Sequence, residues 1–277
     1  MRFFAVLIML TGGAFAQNIQ VHGHRGARAM RPENTLPAFE YAIAQGVDAL
    51  ELDMAVTRDG VLVVSHDPEL RGPVCTGPKE RAVIHELTLA EVRQWDCGAK
   101  QNPLFSTQQT VPGTKMPTLD EVFALAPKGK FLFNIETKIS PLRPELAPSP
   151  MEFAKLVLAS IRKHRLESRV VLQSFDFRTL QAMKEIAPEI RRSALYSGVP
   201  RSFVEIGREA GAQIVSPEYH LVTPEQVKAA HAAGMEVLPW TANKPDEWSR
   251  LVDAGVNGII SDDPAALIAF LKERHAR

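Results

Sequence analysis

Residues 49–56 read Ala-Leu-Glu-Leu-Asp-Met-Ala-Val. The segment is apolar enough to be a buried strand, yet it carries two carboxylates two positions apart. Strand side chains alternate between faces, so Glu51 and Asp53 point to the same side. Seven more short, apolar, often β-branched segments resemble it, at 19–24, 131–137, 169–175, 192–196, 213–216, 236–241 and 258–261. Buried parallel strands have this composition.

Amphipathic segments with helical spacing lie between them. Residues 37–44 bring Phe39 and Ile43 together, and 151–165 repeats Phe153, Leu156, Val157 and Ile161. Thr223 and Pro224 form an N-cap and first-turn pair, with Gly234 beyond the helix end, and 246–254 is followed by Gly255. Strands alternating with helices over roughly 250 residues predict an α/β protein, a (β/α)8 TIM barrel. The runner-up is an open doubly wound sheet. No G-x-G-x-x-G turn follows a strand, which weakens its dinucleotide-binding form. A barrel places its chemistry at the C-terminal ends of the strands.

One stretch breaks the rhythm. Residues 60–66 read as a further β element, and about 68–118 as a subdomain inserted after the second strand, with a short helix near 89–95. It holds both cysteines, Cys75 and Cys97, which are either a disulfide or two buried thiols. The segment 141–150, with four prolines, reads as a loop beside the same mouth.

A separate signal is N-terminal. Met1-Arg2, the apolar run 3–10 and Ala14-Phe15-Ala16 have the form of a secretory signal peptide over 1–16, leaving 17–277 as one domain. Export is expected, to the periplasm ahead of the medium, and an oxidising compartment favours pairing of the cysteines. No later apolar run approaches spanning length, so no stable membrane anchor is expected. Of the 277 residues, 32 are Lys or Arg and 32 are Asp or Glu. That balance gives no basic footprint for nucleic acid.

Polar residues gather where the barrel keeps its chemistry. The first strand ends in His22-Gly23-His24-Arg25-Gly26, the third in Glu136-Thr137-Lys138, and the extra β element in His66-Asp67. Glu51, Asp53 and Glu136 offer only hard oxygen ligands, which suits one divalent cation, Ca²⁺ or Mg²⁺. The bland alternative is that each acid pairs with an Arg or Lys. Arg25 and Lys138 could clamp a phosphate or make ordinary ion pairs. His24 and His66 are the acid–base candidates, since breaking a P–O bond needs one group to activate the nucleophile and another to protonate the leaving oxygen. His22 is expected to pack or hydrogen-bond instead.

These motifs, in order, resemble the glycerophosphodiester phosphodiesterase family: His24-Arg25-Gly26, Pro32-Glu33-Asn34-Thr35, Glu51-Leu52-Asp53, Thr57-Arg58-Asp59-Gly60 and Val63-Val64-Ser65-His66-Asp67. Glu136-Thr137-Lys138, Gln173-Ser174-Phe175, Trp240-Thr241-Ala242-Asn243 and Ser261-Asp262-Asp263-Pro264 extend the match along the chain. Thr137 and Ala242 depart from the residues common in that pattern, without removing a reactive group. The resemblance implies hydrolysis of a small-molecule glycerophosphodiester to sn-glycerol 3-phosphate and an alcohol. His24 and His66 would be acid and base, in either order, with a glycerol hydroxyl or water attacking first. Glu51, Asp53 and Glu136 would hold the metal, and Arg25 and Lys138 the phosphate. It also places Glu33 and Asn34 near the site mouth; Phe175 and Trp240 would line the alcohol pocket or belong to the core. Two alternatives stay open: phospholipase D-like or lyase action on intact phospholipids, and an exported protein that binds phosphodiesters without cleaving them.

Overall fold

The computed structural model describes residues 18–277; the segment read as a signal peptide lies outside them. The chain runs β1 (Gln20–Gly23), α1 (Leu36–Gln45), β2 (Ala49–Val56), β3 (Leu62–Val64), β4 (Glu69–Arg71), β5 (Arg81–Val83), α2 (Leu89–Val92) and α3 (Leu119–Phe123). It continues through β6 (Leu132–Thr137), α4 (Pro150–His164), β7 (Val170–Ser174), α5 (Phe177–Ile186), β8 (Arg191–Tyr196) and α6 (Phe203–Ala210). The last elements are β9 (Ile214–Pro217), α7 (Pro224–Ala232), β10 (Glu236–Val237), α8 (Pro245–Ala254), β11 (Gly258–Ser261) and α9 (Pro264–Glu273).

Eight strands pair in parallel in the order β10-β9-β8-β7-β6-β2-β1-β11. The two ends meet. The Asn257 N–H donates to the Val237 carbonyl (3.0 Å), Ile260 N–H to Pro239 (3.0 Å) and Ala242 N–H to Ile260 (3.2 Å). The fold is thus a nearly closed parallel barrel ringed by helices.

Alternation along β2 sorts its side chains. Leu50, Leu52, Met54 and Val56 join the main core against the helices, together with Phe133 and Ile135 of β6 and Leu172 of β7. Glu51, Asp53, Asn134, Glu136 and Gln173 therefore face the barrel interior. Inward-facing Val171, Ile214, Leu238 and Ile260 make a separate small apolar cluster, on which Trp240 packs.

Two boundaries differ from the sequence reading by three residues or more. The strand expected over 236–241 is a two-residue ladder, because Pro239 has no N–H to donate; Trp240 still forms a bridge to Glu218. The helix expected near 89–95 stops at Val92 after a capping box between Thr88 and Glu91. The expected caps elsewhere hold: Thr223 accepts from Gln226 N–H, and Gly255 closes α8 in the left-handed conformation at φ 86°.

The insertion has its own core. Leu70, Cys75, Ile84, Val92, Trp95, Cys97 and Met116 cluster with Ala55 and Val63 of the β2–β3 hairpin. Cys75 and Cys97 are joined as a disulfide within it, with Cα atoms 4.0 Å apart. No helix among the described residues is long and apolar enough to cross a membrane. Replacing both cysteines with serine is expected to cost about 2–4 kcal/mol, since the bridge closes a long loop on a small core. A lower midpoint in urea denaturation is the readout, and an unchanged midpoint would mean that the bridge adds no stability.

Candidate active site

The turn after β1 is set by backbone conformation. Arg25 and Gly26 both have positive φ, 50° and 84°. At Gly26 a Cβ would come within 2.7 Å of the Ala38 carbonyl carbon, so only glycine lets the chain pass this close to α1. Arg25 accepts an unfavourable conformation, which for an L residue costs about 1–2 kcal/mol. It aims the Arg25 N–H at Glu51 Oε2 (2.8 Å) and leaves its carbonyl to accept from Asn34 N–H (3.0 Å). Asn34, also left-handed at φ 57°, donates from Nδ2 to Asp53 Oδ2 (2.9 Å).

Neighbouring strands supply the acids. Register puts Asp53 beside Glu136 across β2 and β6, and Glu136 beside Gln173 across β6 and β7. Glu51, Asp53 and Glu136 are buried, and each offers an oxygen within 4.8 Å of the others'. Arg25 Nη1 donates to Glu33 Oε1 (2.7 Å), and its Nε lies 3.3 Å from Asp53 Oδ2. Lys138 Nζ donates to Glu136 Oε1 (2.8 Å) and stands 3.6 Å from Asp53 Oδ1.

Four carboxylates thus face two fixed cations. Burial raises the Glu51 carboxyl well above its ordinary range, and Asp53 adds to the rise. Burial also raises Glu136, despite Lys138. At Asp53 burial works in the same direction but is outweighed by Lys138 and Arg25, which hold its carboxyl far below the usual range. The cluster is short of positive charge, and its donors are all hard oxygens. That set is compatible with a divalent cation.

The histidines stand on either side. His24 Nδ1 bonds Asp262 Oδ1 (2.6 Å), which leaves its Nε2 3.9 Å from Glu51 Oε2. Burial lowers the His24 pKa to about 4 against the pull of Asp262, which favours the neutral ring. His66, on the segment after β3, bonds Asp67 Oδ1 through Nδ1 (2.8 Å) and is more open to solvent. Both rings line one cavity of about 120 Å³ with Arg25, Glu51, Asp53, Glu136, Lys138, Phe175 and Trp240. Phe175 and Trp240 meet edge to face at 5.4 Å, and Trp240 Nε1–H donates to the Ser216 carbonyl (2.8 Å).

Most residues singled out from the sequence therefore converge. Glu33 does not join the three-carboxylate cluster; it acts on it through Arg25. His22 is buried away from the cavity, between Gln20 Oε1 (3.3 Å) and Asn134 Nδ2 (3.4 Å).

Several residues of the site carried no assigned role in the sequence. Asp262 takes His24, both arms of Arg28 (2.6 and 3.2 Å) and Asn243 Nδ2 (2.8 Å). Gln173 Nε2 donates to Glu51 Oε1 (2.7 Å), while its own Oε1 accepts from Asn134 Nδ2 (3.0 Å), which fixes the orientation of its amide. The signal was available: both sit at strand ends. Only closure of the barrel, which lays β11 against β1, shows that Asp262 meets His24.

Known proteins resemble this chain over most of its length. The model of the glycerophosphoryl diester phosphodiesterase family matches residues 24–266. A glycerophosphodiester phosphodiesterase of Caldanaerobacter subterraneus is 34% identical over 254 residues, 91% of this chain and 98% of the relative. A solved structure from Silicibacter pomeroyi is 32% identical with a TM-score of 0.87, covering 94% of this chain and 95% of the other. A phosphodiesterase of Oleispira antarctica, solved with the product sn-glycerol-3-phosphate, is 25% identical with a TM-score of 0.79 over 91% of this chain and 96% of its own. The barrel, its buried acidic cluster and these likenesses agree, and the chain belongs to the glycerophosphoryl diester phosphodiesterase family of enzymes.

Proposed function

We propose that the chain hydrolyses glycerophosphodiesters to sn-glycerol 3-phosphate and an alcohol, using one divalent cation, Ca²⁺ or Mg²⁺, held by Glu51, Asp53 and Glu136. The uncompensated negative charge of that buried cluster, inside a cavity that also presents two histidine rings, carries the reading. The product held by the Oleispira antarctica relative supports the choice of substrate class. When bound, the cation supplies charge neutralisation to the phosphate.

The chain's own residues do the rest. Arg25 and Lys138 are fixed by their carboxylate partners and add positive charge where the phosphate's negative charge grows. Asp262 and Asp67 each occupy an Nδ1, so both histidines turn Nε2 to the reacting group. One ring takes the proton of the attacking oxygen and the other protonates the departing alkoxide. Phe175 and Trp240 border the cavity and limit access of water. The chain works, on this reading, outside the cytoplasm, in the periplasm or beyond; the Cys75–Cys97 bridge supports an oxidising compartment.

Incubation with sn-glycero-3-phosphocholine, followed by ³¹P NMR, tests the activity. His24→Ala and His66→Ala are each expected to lose at least about a hundredfold in kcat. Near wild-type turnover in either would sink the assignment. EDTA should silence the wild type, with activity restored by Ca²⁺ or Mg²⁺; full activity in chelator would remove the metal from the scheme. Asp262→Ala frees the His24 ring and leaves Arg28 without its carboxylate. Its kcat should fall at least about tenfold, with cation affinity, read by calorimetry, close to that of the wild type; an unchanged kcat would deny Asp262 a positioning role.

A further inference from the structure

The insertion reaches the catalytic end of the barrel at a second place. Residues 98–111, directly after Cys97, form a compact Ω-loop closed at its neck. Val111 N–H donates to the Gly98 carbonyl (2.9 Å), and the two oxygens of Asp96 take the Gly98 (2.9 Å) and Gly113 (2.6 Å) N–H groups. A Cβ on Gly98 would stand 2.1 Å from the Val111 oxygen, so only glycine closes the neck this tightly. The Cys75–Cys97 bridge ties that neck to the apolar core of the insertion.

The far side of the loop rests on the turn between β1 and α1. The carbonyls of Arg28, Ala29, Met30 and Arg31 all accept from it. Gln108 Nε2 donates to Arg28 (2.7 Å) and to Arg31 (3.2 Å), Thr107 Oγ1 to Ala29 (3.0 Å) and Gln109 N–H to Met30 (3.0 Å). Gln108 is buried, and its Oε1 accepts from Asn102 N–H (2.7 Å), which fixes the orientation of the amide. Phe105 packs its ring on the Arg28 guanidinium, with the centroid 5.2 Å from Cζ. Packing a loop on a barrel does not by itself require that all four carbonyls in a row be met by one short segment.

Arg28 is therefore held at three points: its carbonyl by Gln108, its guanidinium face by Phe105, and its guanidinium edge by Asp262. Such an arrangement removes most of the rotamer freedom of a long side chain. One oxygen links this arrangement to the site. Asp262 Oδ1 bonds Arg28 Nε and His24 Nδ1, each at 2.6 Å. The position of the guanidinium thus sets the position of the oxygen that orients His24.

We propose that Phe105 and Gln108 are positioning residues for the reaction: through Arg28 and Asp262, the insertion's Ω-loop holds His24 in its working orientation. The inference rests on the phosphodiesterase reading above and extends it from the barrel to the insertion. Neither residue touches the reacting atoms, so their effect belongs to turnover and not to substrate binding.

The test measures steady-state hydrolysis of sn-glycero-3-phosphocholine at saturating Ca²⁺ or Mg²⁺, well below the urea transition of each variant. Phe105→Leu removes the aromatic face, Phe105→Tyr keeps it, and Gln108→Glu keeps the shape but turns a carboxylate oxygen to the carbonyls. Phe105→Leu and Gln108→Glu should each lower kcat at least about fivefold with KM within about twofold, and Phe105→Tyr should stay within about twofold of the wild type. In an Asp262→Ala background, where the route to His24 is already cut, adding Phe105→Leu should cost less than about twofold. Wild-type kcat in Phe105→Leu or Gln108→Glu overturns the inference, even where the urea midpoint falls, because the loop then only braces the fold. A full further loss in the Asp262→Ala background, or a Phe105→Tyr as slow as Phe105→Leu, overturns it as well. In each of these cases an active wild type leaves the phosphodiesterase reading standing; an inactive wild type overturns that reading and this inference with it.

Discussion

The site is organised around a repulsion. Register across β2 and β6 places Asp53 beside Glu136, and strand alternation puts Glu51 on the same inner face. Bringing three carboxylates together away from water is costly, and Arg25 and Lys138 offset only part of it. Much of the surrounding structure bears on this cost. The left-handed turn at Arg25 turns a backbone N–H onto Glu51, Asn34 donates to Asp53, and Gln173 donates to Glu51. Each fixes a carboxylate oxygen in place, so the acids stay close enough to share one cation.

The histidines are controlled in a different way, by carboxylates that do not belong to the cluster. Asp262 and Asp67 each take one ring nitrogen, which decides the direction in which the other nitrogen points. Asp262 is itself fixed by Arg28 and Asn243. The closing hydrogen bonds between the first and last parts of the barrel are therefore part of the active site as well as of the fold. The insertion, with its own apolar cluster and disulfide, leans on the β2–β3 hairpin that leads to His66.

Residues 49–56 alone determined a good deal. Their apolar positions and their pair of acids specified a buried strand whose inner face carries charge, and the repetition of similar segments specified the barrel. Local patterning dictates such features, because periodicity, caps and proline or glycine positions act within a few residues. The residues expected to react were legible for the same reason: each ends a strand, where a barrel exposes its polar side chains.

Tertiary structure decided the partners. That Asp262 holds His24 across 238 positions, that Gln173 reaches Glu51 from a strand two places away, and that Glu33 serves Arg25 instead of the acid cluster follow from barrel closure and strand register. Sequence spacing sets which face a side chain takes; only the closed sheet sets which side chains share that face.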